Sequence, residues 1–272
     1  MTEFFADIGS NWIIEKKSDY SYVHILGRAL GLIEQAANCG CTGVKFQYFK
    51  SEHLWDKNKF PEEYKNAKKC ELPFEWIHTL SEVAQKRGLL FGLSVFDIDS
   101  VQLVDDYVDY FKIASFEASW FDLVNACYMT GKRLMMSLGQ IDQYEMLRVI
   151  ANLPNQENPI DLLHCVSKYP SLAVDCNLNI LKDNPIINGY SDHTTEPAVL
   201  YTAISLGADV IEVHLDDGLG IEKAHSWTPW QLGNVINMSK TIELSKGMGD
   251  WDNVSKLQNH KYKVNPKTGL RG

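Results

Sequence analysis

Two histidines and two lysines carry most of the chemistry legible in this chain. His193 closes the run Asn188-Gly-Tyr-Ser-Asp-His-Thr194, and His214 closes Val210-Ile-Glu-Val-His-Leu215, with a helix-like segment over residues 196–206 between them. If the two runs are neighbouring parallel strands, both imidazoles emerge side by side at one end of a sheet, where a pair can hold a divalent cation. One histidine at a strand end is more often a hydrogen-bonded rim residue, so the pairing is what favours a metal.

The lysines point the same way. In Gly43-Val-Lys-Phe-Gln-Tyr-Phe49, the period of two puts Lys45 and Gln47 on one face. In residues 108–117, Lys112 sits among Phe111, Ile113 and Ala114, and Ser115 and Glu117 follow. A lysine in a strand can snorkel to a sheet edge, but these apolar neighbours argue for an interior position. Two ammonium groups facing Ser115, Ser137 and Ser191 suit a phosphate or a carboxylate.

Positioning such groups requires a sheet whose strand ends converge. Apolar runs at 4–8, 43–49, 89–96, 108–117, 133–139, 160–166, 186–190 and 209–215 read as strands. Helical spacing marks 22–38, 74–86, a short helix ending near 106, 121–130, 142–152, 178–183, 196–206 and 228–246. Gly40 suits a left-handed helix end, and the Lys- and Glu-rich stretch 51–69 reads as a surface excursion with short helical pieces. About eight alternating strand–helix units predict a single-domain α/β fold, the (β/α)8 TIM barrel, over residues 1–247, followed by a polar tail at 248–272. In that fold Asp7, Asn11, Lys45, Gln47, Ser94, Lys112, Ser115, Glu117, Ser137, Tyr169, Ser191, His193, Glu212 and His214 would share one crater. No glycine-rich phosphate loop follows any strand, which leaves a nucleotide fold without support.

Bulk composition narrows the class. The chain has 272 residues and a formal net charge of −9 from 26 basic and 35 acidic side chains, so no basic surplus exists to neutralise a nucleic acid. No run approaches the ~20 apolar residues of a membrane span and no signal peptide is evident, which predicts a cytoplasmic location without membrane contact. Six scattered cysteines without a CxxC pair predict reduced thiols.

Taken in order, Asp7-Ile-Gly-Ser-Asn11, Val44-Lys-Phe-Gln47, Glu71-Leu-Pro-Phe74, Lys112-Ile-Ala-Ser115, Leu162-Leu-His-Cys165 with Tyr169-Pro170, Tyr190-Ser-Asp-His-Thr194 and Val210-Ile-Glu-Val-His214 resemble the sialic acid synthase family, which makes N-acetylneuraminic, pseudaminic and legionaminic acids. The resemblance implies condensation of phosphoenolpyruvate with the open-chain aldehyde of an N-acylated amino sugar, giving a nine-carbon 2-keto acid and phosphate. It implies that His193 and His214 hold Mn2+ or Mg2+. It further implies that Lys45, Lys112, Ser94, Ser115, Ser137 and Ser191 cradle phosphoenolpyruvate, that Gln47 and Tyr169 line the pocket, and that Glu117 contacts the sugar, with Glu222 in the same pocket. Partners would be these small molecules and, in a homodimer, a second copy.

The chain departs from the family pattern at Asp7, Trp12, Ser94 and Ser167, where Glu, His, Thr and Asn are usual. The family's C-terminal antifreeze-protein-like domain, which supplies an arginine to the sugar site, is expected to have no counterpart in the tail up to Gly272; Arg271 could substitute only if ordered, and the terminus reads first as disordered. Two alternatives stay open: a Schiff-base aldolase with Lys112 as nucleophile, and a non-catalytic or partner-dependent barrel.

Overall fold

The computed structural model describes residues 1–14, 22–153 and 158–247. The expected tail, with Arg271, lies outside the described residues. Eight parallel strands close a barrel in chain order. They are β1 Glu3–Gly9, β2 Gly43–Tyr48, β3 Leu90–Val95, β4 Tyr110–Ile113, β5 Arg133–Ser137, β6 Ile160–Cys165, β7 Gly189–Asp192 and β8 Val210–His214, the last pairing back onto β1. The helices are α1 Tyr22–Cys39, α2 Ser51–Leu54, α3 Pro61–Lys69, α4 Phe74–Lys86, α5 Ile98–Val104, α6 Phe121–Met129, α7 Gln143–Ala151, α8 Ile180–Asp183, α9 Pro197–Ser205 and α10 Pro229–Lys246. The barrel expectation is met, and α2 and α3 form the predicted excursion after β2.

Strand alternation separates two cores. Outward residues such as Phe4, Ala6 and Ile8 of β1 join the large cluster beneath the helices, to which α10 contributes Leu232, Val235 and Ile236. Inward residues Phe5, Tyr110, Met135, Leu163 and Val210 fill the lower barrel as a separate apolar plug. The plug closes because β3 offers no side chain opposite Tyr110: a Cβ on Gly92 would lie 2.2 Å from that ring. Below it, Arg133 pairs with Glu3 and Asp161, both at 2.6 Å, and lies 4.9 Å over the Phe5 ring. The upper half of the interior is left to polar residues.

Local signals set the helix ends. Gly40 follows α1 with φ +89°, where a side chain is strained. Asp97 caps α5, and capping boxes open α7 (Asp142 with Glu145) and α10 (Thr228 with Gln231). Two strand boundaries differ from expectation by three residues or more, the others by two at most. β4 stops at Ile113, because the Ala114 carbonyl accepts the Glu117 N–H (3.1 Å) and the chain turns, so Ser115 and Glu117 stand beyond the strand. β7 starts at Gly189, not residue 186, since pairing to β6 and β8 begins there and exposed Ile186 belongs to the preceding turn. Among the described residues, no helix is long and apolar enough to cross a membrane.

Candidate active site

The polar upper interior opens into a cavity of about 600 Å3 at the C-terminal strand ends. Every site residue predicted from the sequence lines it except Asn11, which is buried and donates to the Leu215 carbonyl and Ser226 Oγ instead. β1 brings Asp7, whose neighbours in register are Lys45 of β2 and His214 of β8. Gln47 sits opposite Ser94 of β3, and Ser94 opposite Lys112 of β4. β5 ends in Ser137, and β7 carries Ser191 opposite Glu212 of β8, with His193 one residue past its end. Ser115, Glu117, Tyr169 and Glu222 reach the cavity from the loops that follow β4, β6 and β8.

The floor is a buried row of alternating charge, Asp7–Lys45–Glu212–Lys112. Lys45 Nζ lies 2.5 Å from Asp7 and 4.0 Å from Glu212, and it donates to Ser94 Oγ at 3.0 Å. Lys112 Nζ donates to Ser137 Oγ at 2.6 Å and to the Ile113 carbonyl at 3.0 Å, with Glu212 at 3.6 Å. Ser191 donates to the same Glu212 carboxylate at 2.9 Å. Both lysines are 2 % exposed, so neither snorkels to an edge.

The two ammonium groups differ electrostatically. Burial alone would lower both, but at Lys45 the adjacent carboxylates of Asp7 and Glu212 outweigh it and the pKa rises. At Lys112, burial and the like charge of Lys45 outweigh Glu212, and the pKa falls. Burial pushes the Asp7 carboxyl up, yet Lys45 and His214 together hold it below its ordinary range. One oxygen each of Asp7 and Glu212 is buried with no partner among the described residues.

Above the floor stand three imidazoles, one more than the sequence predicted. The His193 and His214 ring centroids are 5.3 Å apart, and His225 lies 4.7 Å from His214 and 6.1 Å from His193. His193 Nδ1 is 2.8 Å from the Val166 carbonyl and His214 Nδ1 is 3.0 Å from Glu222 Oε2. An oxygen partner on Nδ1 fixes the tautomer that leaves Nε2 free to ligate. Burial, with His214 nearby, pushes His193 down to about 3, so its ring is neutral at pH 7. At His214, burial is outweighed by Asp7 and Glu222, and the pKa is raised. Ligand atoms of His214, Glu222 and His225 fall within 4.8 Å of one another. Two neutral-capable imidazoles and adjacent carboxylates are a fitting donor set for a divalent ion.

The wall on the solvent side is mixed. Tyr169 stacks 4.2 Å from His193, while Leu54, Trp55, Phe96 and Phe116 supply apolar surface. Burial raises the Glu117 carboxyl to about 7, and its Oε2 is without a partner among the described residues. Sequence reasoning missed His225 and Cys165, which also line the cavity. Cys165 was visible as an inward position by the period of two, whereas His225 sits in a short 3-10 turn with no periodicity to signal it.

The motif Ser191-Asp-His193 divides its labour by alternation. Ser191 and His193 face the cavity, and Asp192 faces outward, accepting from the Trp227 indole at 2.9 Å and from Thr194 Oγ1 at 2.7 Å. Trp12, one of the unusual positions, is buried 5.5 Å edge-on to Trp76 and does not line the cavity.

The model of the NeuB family matches residues 32–251. An uncharacterised protein of Methanocaldococcus jannaschii is 34% identical over 228 residues, covering 80% of this chain and 67% of that protein. The N,N'-diacetyllegionaminic acid synthase of Legionella pneumophila is 31% identical over 244 residues, covering 80% of this chain and 68% of that enzyme. Among solved structures, an N-acetylneuraminic acid (sialic acid) synthetase from Leptospira borgpetersenii, in complex with citrate, superposes with TM-score 0.83 at 26% identity, over 94% of this chain and 90% of that one. With the family model matching residues 32–251 and the barrel superposing on that synthetase, the chain is a member of the NeuB family.

Proposed function

We propose that this chain condenses phosphoenolpyruvate and one water with the open-chain aldehyde of an N-acylated amino sugar, forming a sialic-acid-like 2-keto acid whose keto oxygen comes from the water and releasing phosphate with the bridging oxygen. The observation that carries the reading is one cavity holding two buried, serine-bonded lysines on its floor and a histidine cluster at its rim. Family membership supports a condensation of this kind.

In this reading Lys45 and Lys112, with Ser94, Ser115, Ser137 and Ser191, bind the phosphate and carboxylate of the donor. Lys45, kept charged by Asp7 and Glu212, holds the anion, and Lys112 stabilises the charge gathering on phosphate as its C–O bond breaks. Gln47 and Tyr169 line the pocket around the donor. Glu117, with a carboxyl near 7, holds or moves a proton at the aldehyde end close to neutral pH. His193 and His214 would hold Mn2+ or Mg2+, which when bound acts as a Lewis acid toward the aldehyde oxygen. Asp7, 3.6 Å from His214 Nε2, positions that ring and anchors Lys45.

The test is phosphate release from phosphoenolpyruvate by the purified chain across a panel of N-acylated amino-sugar aldehydes, with and without EDTA. Aldehyde-dependent release abolished by EDTA and restored by Mn2+ supports the reading. Turnover that persists after complete metal removal rejects the metal-assisted form of it.

A further inference from the structure

The proposed reaction uses the cavity floor and the histidine rim but gives no task to the apolar wall on the solvent side. Leu54, Trp55, Phe96 and Phe116 line the cavity there, and Trp55 and Phe116 are 38 % and 65 % exposed. Large apolar groups left to water beside a cavity mark a surface that a ligand covers.

The wall is held in place from behind. Glu71, in the Glu71-Leu-Pro-Phe74 motif, accepts the Ser51 N–H at 2.8 Å and Ser51 Oγ at 2.5 Å, and Lys68 Nζ lies 3.0 Å from both of its oxygens. His53 Nδ1 lies 3.1 Å from Asp97, the residue that caps α5. These links fasten α2, and Trp55 directly after it rests edge-on against Phe60 with centroids 5.6 Å apart. Phe96 packs edge-on against buried Phe49 at 5.5 Å. Phe116 stands between Ser115 and Glu117 on the turn after β4, so three consecutive residues join the donor site, the wall and the carboxyl at the acceptor end.

The aldehyde carbon has to reach the donor on the floor, which leaves the part of the sugar remote from the aldehyde lying along the wall. Among the described residues lining the cavity, Lys45 and Lys112 are the only lysine or arginine side chains, and both stand at the floor. A phosphate carried by the acceptor would therefore meet aromatic rings and the Glu117 carboxyl, and its lost hydration would go uncompensated.

We infer that Trp55 and Phe116 select an uncharged acceptor whose end remote from the aldehyde is apolar: a deoxy sugar ending in a methyl group, in preference to one ending in a hydroxymethyl or a phosphate. The inference rests on the reading that this cavity joins phosphoenolpyruvate to an amino-sugar aldehyde. An aromatic face packs against C–H groups and offers a hydroxyl no partner. Exchanging a methyl for a hydroxymethyl against such a wall changes kcat/KM by about 10- to 100-fold.

The experiment measures phosphate release by the purified full chain with saturating phosphoenolpyruvate and Mn2+. The acceptors are N-acetylated 2-amino sugars of the manno, gluco and altro series, each with its last carbon as a methyl, a hydroxymethyl or a phosphorylated hydroxymethyl. Wild type is compared with Trp55→Ala, Phe116→Ala and the conservative Trp55→Phe. In wild type, kcat/KM for the methyl sugar is expected to exceed that for the hydroxymethyl sugar at least ~10-fold and that for the phosphorylated one at least ~100-fold. The methyl-over-hydroxymethyl ratio is expected to fall at least ~4-fold in both alanine variants, through KM for the sugar, and to be kept in Trp55→Phe, with KM for phosphoenolpyruvate unmoved. A ratio within twofold of wild type in both alanine variants overturns the inference and leaves the condensation standing, as does wild-type turnover of the hydroxymethyl or phosphorylated sugar equal to that of the methyl one. No release with any sugar of the set removes the condensation reading, and this inference with it.

Discussion

Replacing Lys112 by Met removes one positive charge from the cavity floor while keeping an unbranched buried stem. Three contacts of the ammonium disappear: Ser137 at 2.6 Å, the Ile113 carbonyl at 3.0 Å and Glu212 at 3.6 Å. Glu212 retains Ser191 at 2.9 Å and Lys45 at 4.0 Å, so it is not stranded. Because burial already disfavours the charged form of Lys112, the net stability loss is about 1–2 kcal/mol. Binding suffers more. A charge-assisted contact to the donor contributes about 1.5–3 kcal/mol, which is about 10- to 150-fold in Kd. Calorimetric titration with phosphoenolpyruvate reads this directly. A second signature lies in pH: wild-type affinity falls on the alkaline side as Lys112, lowered from 10.5, loses its proton before Lys45, whose pKa is raised. That fall moves to higher pH in Lys112→Met. A variant that binds within twofold of wild type, or that keeps the wild-type pH profile, refutes the assignment of Lys112 to the anion site.

Borohydride treatment with pyruvate leaves Lys112 unmodified in a peptide mass map; a trapped adduct there would instead establish the Schiff-base aldolase. Asp7 has its carboxyl held below the ordinary 3.8, so its contribution is full above that value and lost as pH falls through the folded one. Asp7→Asn removes this part of the acid-side slope and, by taking the nearest carboxylate from buried Lys45 and leaving it Glu212 at 4.0 Å, costs about 3 kcal/mol at pH 7 in urea unfolding; an unchanged slope and midpoint would contradict it. Glu117→Gln abolishes a limb near pH 7 in the kcat/KM profile, and persistence of that limb would show that another group produces it. Gly92→Ala drives a methyl into the Tyr110 ring and lowers stability by about 3 kcal/mol, measured as a fall in Tm, whereas an unmoved Tm would mean the plug can yield.

The barrel was legible because helix and strand alternate with clear periods, and because inward lysines in apolar strands have few other places to go. The shared crater followed from the fold rule alone: strand ends converge, so Lys45, Lys112, His193 and His214 had to meet. What stayed hidden depends on turns. Where β4 ends is decided by one carbonyl at Ala114, and β7 begins where its neighbours do, neither of which leaves a pattern in local sequence. His225 and the buttressing by Asp192 and Trp227 arise from a loop folding back on its own strand, a contact that periodicity cannot announce. Likewise Trp12 reads as a change near the site, but its direction into the helix layer emerges only from packing.

The most direct test of the central claim is the mass of what the chain makes. Purified protein, phosphoenolpyruvate, a divalent ion and an N-acylated amino-sugar aldehyde are predicted to give one equivalent of phosphate for each molecule of a 2-keto acid three carbons longer than the aldehyde. Consumption of phosphoenolpyruvate to free pyruvate without a joined product, or no consumption with any aldehyde of the panel, would contradict the account.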